Sequence, residues 1–186
     1  MKKTKIKRTG NSGNEVRQAD KSSKDKFANK FSSREINLNF NQKENDFYNA
    51  VIEFYGVDTT GPSYEGRVFL NNREADEDTP LNEANGYVGS YHIFGHDGCW
   101  GDEGHCEAPI RSAYDSRLHT SLTPAYKYID ATKAIKKFIK SRSKEKNCTI
   151  TIIPRVGRGQ RMSGATDVVR MDRIRINCYE NALKSI

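Results

Sequence analysis

Apolar and polar positions along this chain alternate with a period of two far more often than with a helical period. Tyr48–Val57 (YNAVIEFYGV) is β-branched and aromatic, and Gly56 with Asp58–Gly61 closes it, which predicts a strand. Tyr64–Leu70 (YEGRVFL) sets Val68 and Leu70 on one face and Arg67 and Phe69 on the other. Asn71–Gly86 reads as a polar, acidic loop. Tyr87–Phe94 (YVGSYHIF) predicts a third strand, and its small and aromatic residues imply close packing on both faces. Tyr126–Ile129 is a short strand. Cys148–Pro154 alternates Cys148, Ile150 and Ile152 against Thr149, Thr151 and Ile153. Val168–Tyr179 turns Val169, Met171, Ile174, Ile176 and Cys178 inward and Arg173, Arg175 and Asn177 outward. The slip between Met171 and Ile174 predicts a bulge.

One segment has the other period. Ala131, Ala134, Ile135, Phe138 and Ile139 recur at helical spacing, and Asp130 is a suitable N-cap, which predicts a helix over about 131–142. Its lysines, Lys133, Lys136, Lys137 and Lys140, read as a solvated face. Asp97–Thr123 is a long segment rich in Gly, His and acidic residues, and a loop of that length in a compact domain is usually functional or disordered. The fold class is therefore mainly β: an antiparallel β-sandwich or jelly-roll-like barrel with one α-helix and a long Gly/His/Cys loop.

Charge adds a boundary. Residues 1–35 hold eleven Lys/Arg against four Asp/Glu, so the whole net charge of +7 belongs to them. Their few apolar residues cannot offset ordering entropy, which predicts a disordered basic tail before a single domain over 36–186. The tail lacks regularly spaced aromatics for base stacking, so nucleic acid is not an expected partner. The domain is polarised: Arg73–Glu107 holds one basic and nine acidic residues, and Lys127–Arg175 holds fourteen basic and four acidic ones. No apolar run approaches a membrane span, and no apolar stretch follows the basic start as a signal peptide requires. A reducing cytoplasm is the expected compartment, with the four cysteines as thiols.

Candidate chemistry is concentrated in Tyr91–Glu107. This segment holds three of the four histidines, two of the four cysteines, the single tryptophan and four glycines. His96, Cys99, His105 and Cys106 offer four soft or borderline ligands, which suit a tetrahedral zinc or a copper(I) ion. Alternatively, Cys99 and Cys106 close the loop as a disulfide, or a cysteine and a histidine form a thiolate–imidazole pair. His92 reads as a half-buried strand residue, and Trp100 as a packing anchor. Cys148 and Cys178 read as small buried apolar residues. Gly157–Gly164 contains a GxG but precedes no helix, so it fails as a dinucleotide site.

Tyr64–Asn72, Gly86–His96 and Cys99–Cys106, taken in order, resemble the C-terminal region of bacterial tyrosinase-family proteins and, more loosely, the C-terminal domain of plant polyphenol oxidases. In those a Tyr-Ala-Gly-Ser-Phe strand ending in His is followed by a helix and an Ile-Val-Pro-Arg strand. The counterparts here are Tyr87–Tyr91, the helix from Ala131, and Ile152-Ile153-Pro154-Arg155. The resemblance implies an antiparallel β-sandwich that packs over, and shields or regulates, the dicopper site of a separate helical domain. That site uses six histidines, whereas this chain has four in total.

The expectation is thus a non-catalytic accessory domain whose partner is a type 3 copper oxidase. The alternative is a stand-alone zinc or copper module built on His96, Cys99, His105 and Cys106. An enzyme in its own right would need Cys99 or Cys106 joined to His119 or to an acidic residue.

Overall fold

The computed structural model describes residues 7–13, 30–38, 47–95, 124–141, 147–157 and 167–180. In chain order the strands are β1 (Lys7–Gly13), β2 (Phe31–Ser32), β3 (Ile36–Asn37), β4 (Phe47–Val57), β5 (Tyr64–Leu70), β6 (Tyr87–Ile93) and β7 (Ala125–Asp130). The helix α1 (Thr132–Ser141) follows, then β8 (Asn147–Cys148), β9 (Ile150–Val156) and β10 (Arg173–Glu180). They form two open four-stranded sheets, ordered β1-β10-β4-β7 and β2-β9-β5-β6, with a short β3-β8 ladder beside them. Every pairing is antiparallel. The architecture is the expected sandwich, without closure into a barrel.

Period-two alternation explains the layering. Ala50, Ile52 and Phe54 of β4 and Ile174, Ile176 and Cys178 of β10 turn one face of the first sheet inward. They pack in one buried cluster with Tyr64 and Val68 of β5, Tyr91 and Ile93 of β6, and Ile150 and Ile152 of β9. Each such apolar side chain contributes roughly 1.5–3 kcal/mol by leaving water. The opposite parity of β5 and β9 makes a second cluster: Phe69 and Ile153, covered by Ala75 of the following loop and by Tyr87. The Asn71–Gly86 loop is therefore tied down. The carbonyl of Gly86 (φ 79°) accepts from the Leu70 N–H at 2.7 Å, and a Cβ there would meet the Leu70 carbonyl at 2.4 Å.

The helix buries Ile135 and Phe138 in the main core, as its spacing predicts. Asp130 accepts from the Thr132 N–H (2.8 Å) and hydroxyl (2.6 Å), and these bonds lower its carboxyl pKa. The Ala50 N–H donates to the Thr132 hydroxyl at 2.9 Å, which docks the helix start on β4. Lys133, Lys137 and Lys140 are exposed, while Lys136 lies 5.3 Å from the Phe47 ring centroid.

Three details differ from the pattern. The slip after Met171 is not a bulge. β10 begins at Arg173, and Val168 and Val169 are buried in extended chain ahead of it. Gly56 (φ 63°) bends the facing end of β4, Asp172 fills the space where its side chain would be, and the Asp172 N–H bonds the Tyr55 carbonyl at 2.9 Å. The irregularity in β10 lies instead at Tyr179/Glu180. The Cys148–Pro154 strand is interrupted at Thr149, whose N–H is taken by the Asn71 side chain at 2.8 Å. Finally, parts of residues 1–35 belong to the sheets: β1 pairs with β10, and β2 pairs with β9 with Phe31 in the core. Among the described residues no helix is long and apolar enough to cross a membrane.

Candidate functional site

Glu53 is the single carboxylate in the strand core Ala50–Tyr55. Its parity is opposite to Ile52 and Phe54, so it leaves the first sheet on the outer face. It is nevertheless only 3% exposed. A charge in that position costs several kcal/mol unless donors replace its water. Four do. The Tyr55 hydroxyl donates to Oε2 at 2.6 Å, the Tyr126 hydroxyl to Oε1 at 3.0 Å and the Tyr179 hydroxyl to Oε1 at 3.5 Å. The Asn177 amide, itself buried, also donates to Oε2. A carboxylate has about four lone-pair sites, so this set engages it fully.

Register explains why these residues meet. Arg175 and Tyr128 stand opposite Glu53 on either side, Arg173 stands opposite Tyr55, and Asn177 and Asp130 flank Val51. Cross-strand neighbours share a face, so the outer face of the first sheet carries a compact set of tyrosines and arginines. The Tyr55 and Tyr126 ring centroids are 5.1 Å apart, and those of Tyr126 and Tyr128 are 6.1 Å apart. The guanidinium carbons of Arg173 and Arg175 lie 4.7 Å and 5.5 Å from the Tyr55 centroid. Their Nε atoms are buried without a hydrogen-bond partner.

Tyr126 stands on the edge strand, yet its hydroxyl reaches the neighbouring strand. Its ring must therefore lie along the sheet rather than stand on it. Desolvation of the hydroxyl and the bond to Glu53 raise its phenol pKa well above the usual value. Tyr126 remains 50% exposed and Tyr128 65%. The arrangement holds the Tyr126 ring through Glu53, with Tyr128 beside it and two partly buried guanidiniums against Tyr55. It does not poise a base, because the acceptor sites of Glu53 are taken.

A second tyrosine pair is internal. Tyr64 and Tyr91 meet edge to face, with centroids 6.1 Å apart, and Tyr91 also packs 4.8 Å from Phe54. Burial pushes the Tyr64 phenol up to about 12 and Tyr91 well above its ordinary value. Gly66 supplies the room: a Cβ there would lie 2.6 Å from the Tyr91 ring.

The expected ligands His96, Cys99, His105 and Cys106 lie outside the described residues, as do Trp100, His119 and most of Gly157–Gly164. Cys148 and Cys178 are buried thiols, and burial pushes Cys148 up to about 12. His92 is exposed on β6, opposite Glu65, rather than half-buried. Among the described residues no three His, Cys, Asp or Glu side chains gather as a metal site. The pattern already turned Arg173, Arg175 and Asn177 outward, but not Glu53 and its ring of phenols. The available signal was one carboxylate inside a β-branched and aromatic run, since a buried charge requires donors from neighbouring strands.

No family model and no curated protein matches the chain. Among solved structures it is similar to latent aurone synthase, a polyphenol oxidase, from natural source. The identity is 13% and the TM-score 0.42, over 92% of this chain and 28% of that one. It is also similar to recombinantly expressed latent aurone synthase, at 14% identity and TM-score 0.42, over 91% and 28% of the two chains. The chain thus spans less than a third of the length of these proteins. A likeness at this level says nothing of activity, ligand or partner.

Proposed function

We propose that this chain is a non-catalytic accessory domain, related to the C-terminal domain of tyrosinases and polyphenol oxidases, that shields or regulates a type 3 copper oxidase. One observation carries the reading. The quoted motifs fall on β6, then α1, then the Ile152-Ile153-Pro154-Arg155 stretch of β9, in that order, within an antiparallel sandwich. That is the succession the sequence resemblance implies. The chemistry of the Glu53 cluster supports it further, because its hydrogen bonds are spent on holding side chains in place. With four histidines the chain does not fit a six-imidazole dicopper centre, so copper enters this reading through the partner.

The test is enzymatic. The full chain is titrated into a copper-loaded type 3 oxidase catalytic domain lacking its own C-terminal domain, and the rate of catechol oxidation is followed. The rate should fall saturably with added chain. A rate that does not change at any ratio contradicts the proposal.

A further inference from the structure

We infer that the cleft between α1 and the Asn71–Gly86 loop binds a free amino acid with a large apolar side chain. The inference does not depend on the accessory role. Two hollows meet in the cleft. The first, of about 150 Å³, is lined by the apolar Leu70, Tyr87, Ala134 and Phe138, by Glu83 from the loop and by Lys137 from the helix. The second, of about 300 Å³, shares Glu83, Tyr87 and Ala134 and runs on past Lys133 to Asp130. A mostly apolar cleft of this size with a few polar groups is the usual form of a small-molecule site.

The walls are set before any ligand arrives. The helix wall is anchored by Ile135 and Phe138 in the core. The loop wall is a 3₁₀ turn, Glu83–Asn85. The Asn85 N–H donates to the Asn82 side chain at 3.0 Å, and the Gly86 N–H to the Glu83 carbonyl at 3.2 Å. The Asn72 amide donates to the Asn85 carbonyl at 2.8 Å. Tyr87 rests edge to face on Phe69, with centroids 5.6 Å apart. Walls held in this way leave little ordering for a ligand to impose.

The charges select the ligand. Lys133 and Lys137 are matched in number by Asp130 and Glu83, so the cleft as a whole favours neither an anion nor a cation. Asp130 is already bonded to Thr132. Glu83 and Lys137 line the same hollow but form no salt bridge with each other. Among the described residues neither has another side-chain partner. An α-amino acid carries an ammonium, a carboxylate and its side chain on one carbon. The ammonium suits Glu83 and the carboxylate suits Lys137. The side chain suits the apolar hollow, since about 150 Å³ accepts a six-membered ring. Both charges are exposed, so each adds modestly, and the affinity should be roughly millimolar.

The experiment is a titration of the full, isotope-labelled chain with L-phenylalanine and L-leucine, followed by amide chemical shifts. The single-charge analogues phenethylamine and hydrocinnamate are titrated alongside. Saturable shifts should appear in α1 and in the Leu81–Val88 stretch, and each analogue should bind roughly two- to fivefold more weakly than L-phenylalanine. Lys137→Met should weaken hydrocinnamate and leave phenethylamine unchanged, and Glu83→Gln should do the reverse. Both residues are exposed, so these variants test the charges without disturbing the core. Ala134→Leu, which puts bulk into the hollow, should abolish binding. Saturation by either amino acid alone is support and names the side chain preferred. The inference is overturned if neither amino acid saturates by about 20 mM. It is overturned as well if the analogues bind as tightly as L-phenylalanine, or if the two charge variants do not separate them.

Discussion

Glu53 shows how one side chain organises a surface. It stabilises the fold only while its donors remain, and they come from three strands. Glu53→Ala should cost about 2–4 kcal/mol, since it strands a buried amide and loosens three phenols. Glu53→Gln, which keeps the shape and one acceptor, should cost about half of that. Urea unfolding measures both, and a change below about 0.5 kcal/mol for Glu53→Ala would contradict the role given to it. At the same scale, Cys148 and Tyr64 make stability fall in alkali. Burial raises both above their ordinary values of 9.0 and 10.0, each to about 12. The fold holds these protons more tightly than the unfolded chain does. Their contribution is therefore intact below pH 9 and is lost towards pH 12, from about pH 9 for Cys148 and from about pH 10 for Tyr64, at about 1.4 kcal/mol per unit for each group. Cys148→Ala should shift the onset from near pH 9 to near pH 10 in urea titrations run across that range.

Individual strands were legible because burial imposes parity. Val68 and Leu70 lie in the main core and Phe69 in the second cluster, as the alternation of β5 requires. The helix was legible for the same reason at its own period. The start of β10 was not. A bend at Gly56 and the fit of Asp172 against it are pairwise contacts, and neither residue announces the other in the sequence. Gly66 is a further case, because its need for glycine comes from Tyr91 on the neighbouring strand. Gly66→Ala should push that ring off its contact with Phe54 and destabilise by about 1–3 kcal/mol, read from thermal unfolding. A variant as stable as the parent would show that the Tyr91 ring moves freely.

Across the whole molecule, two sheets and a helix leave one sheet face rich in tyrosine and arginine. The sequence points to chemistry in His96, Cys99, His105 and Cys106, outside the described residues, because clustered ligands are visible as a string. Glu53, Tyr55, Tyr126 and Asn177 are 73 and 124 residues apart at the long pairings and meet only through strand register. The accessory role proposed above would be a property of the whole chain, since it requires a partner that supplies the copper site. Its most direct test is the mass, by light scattering, of this chain co-purified with a type 3 oxidase catalytic domain. The account predicts a single 1:1 species containing both chains, and two separate species at micromolar concentration would contradict it.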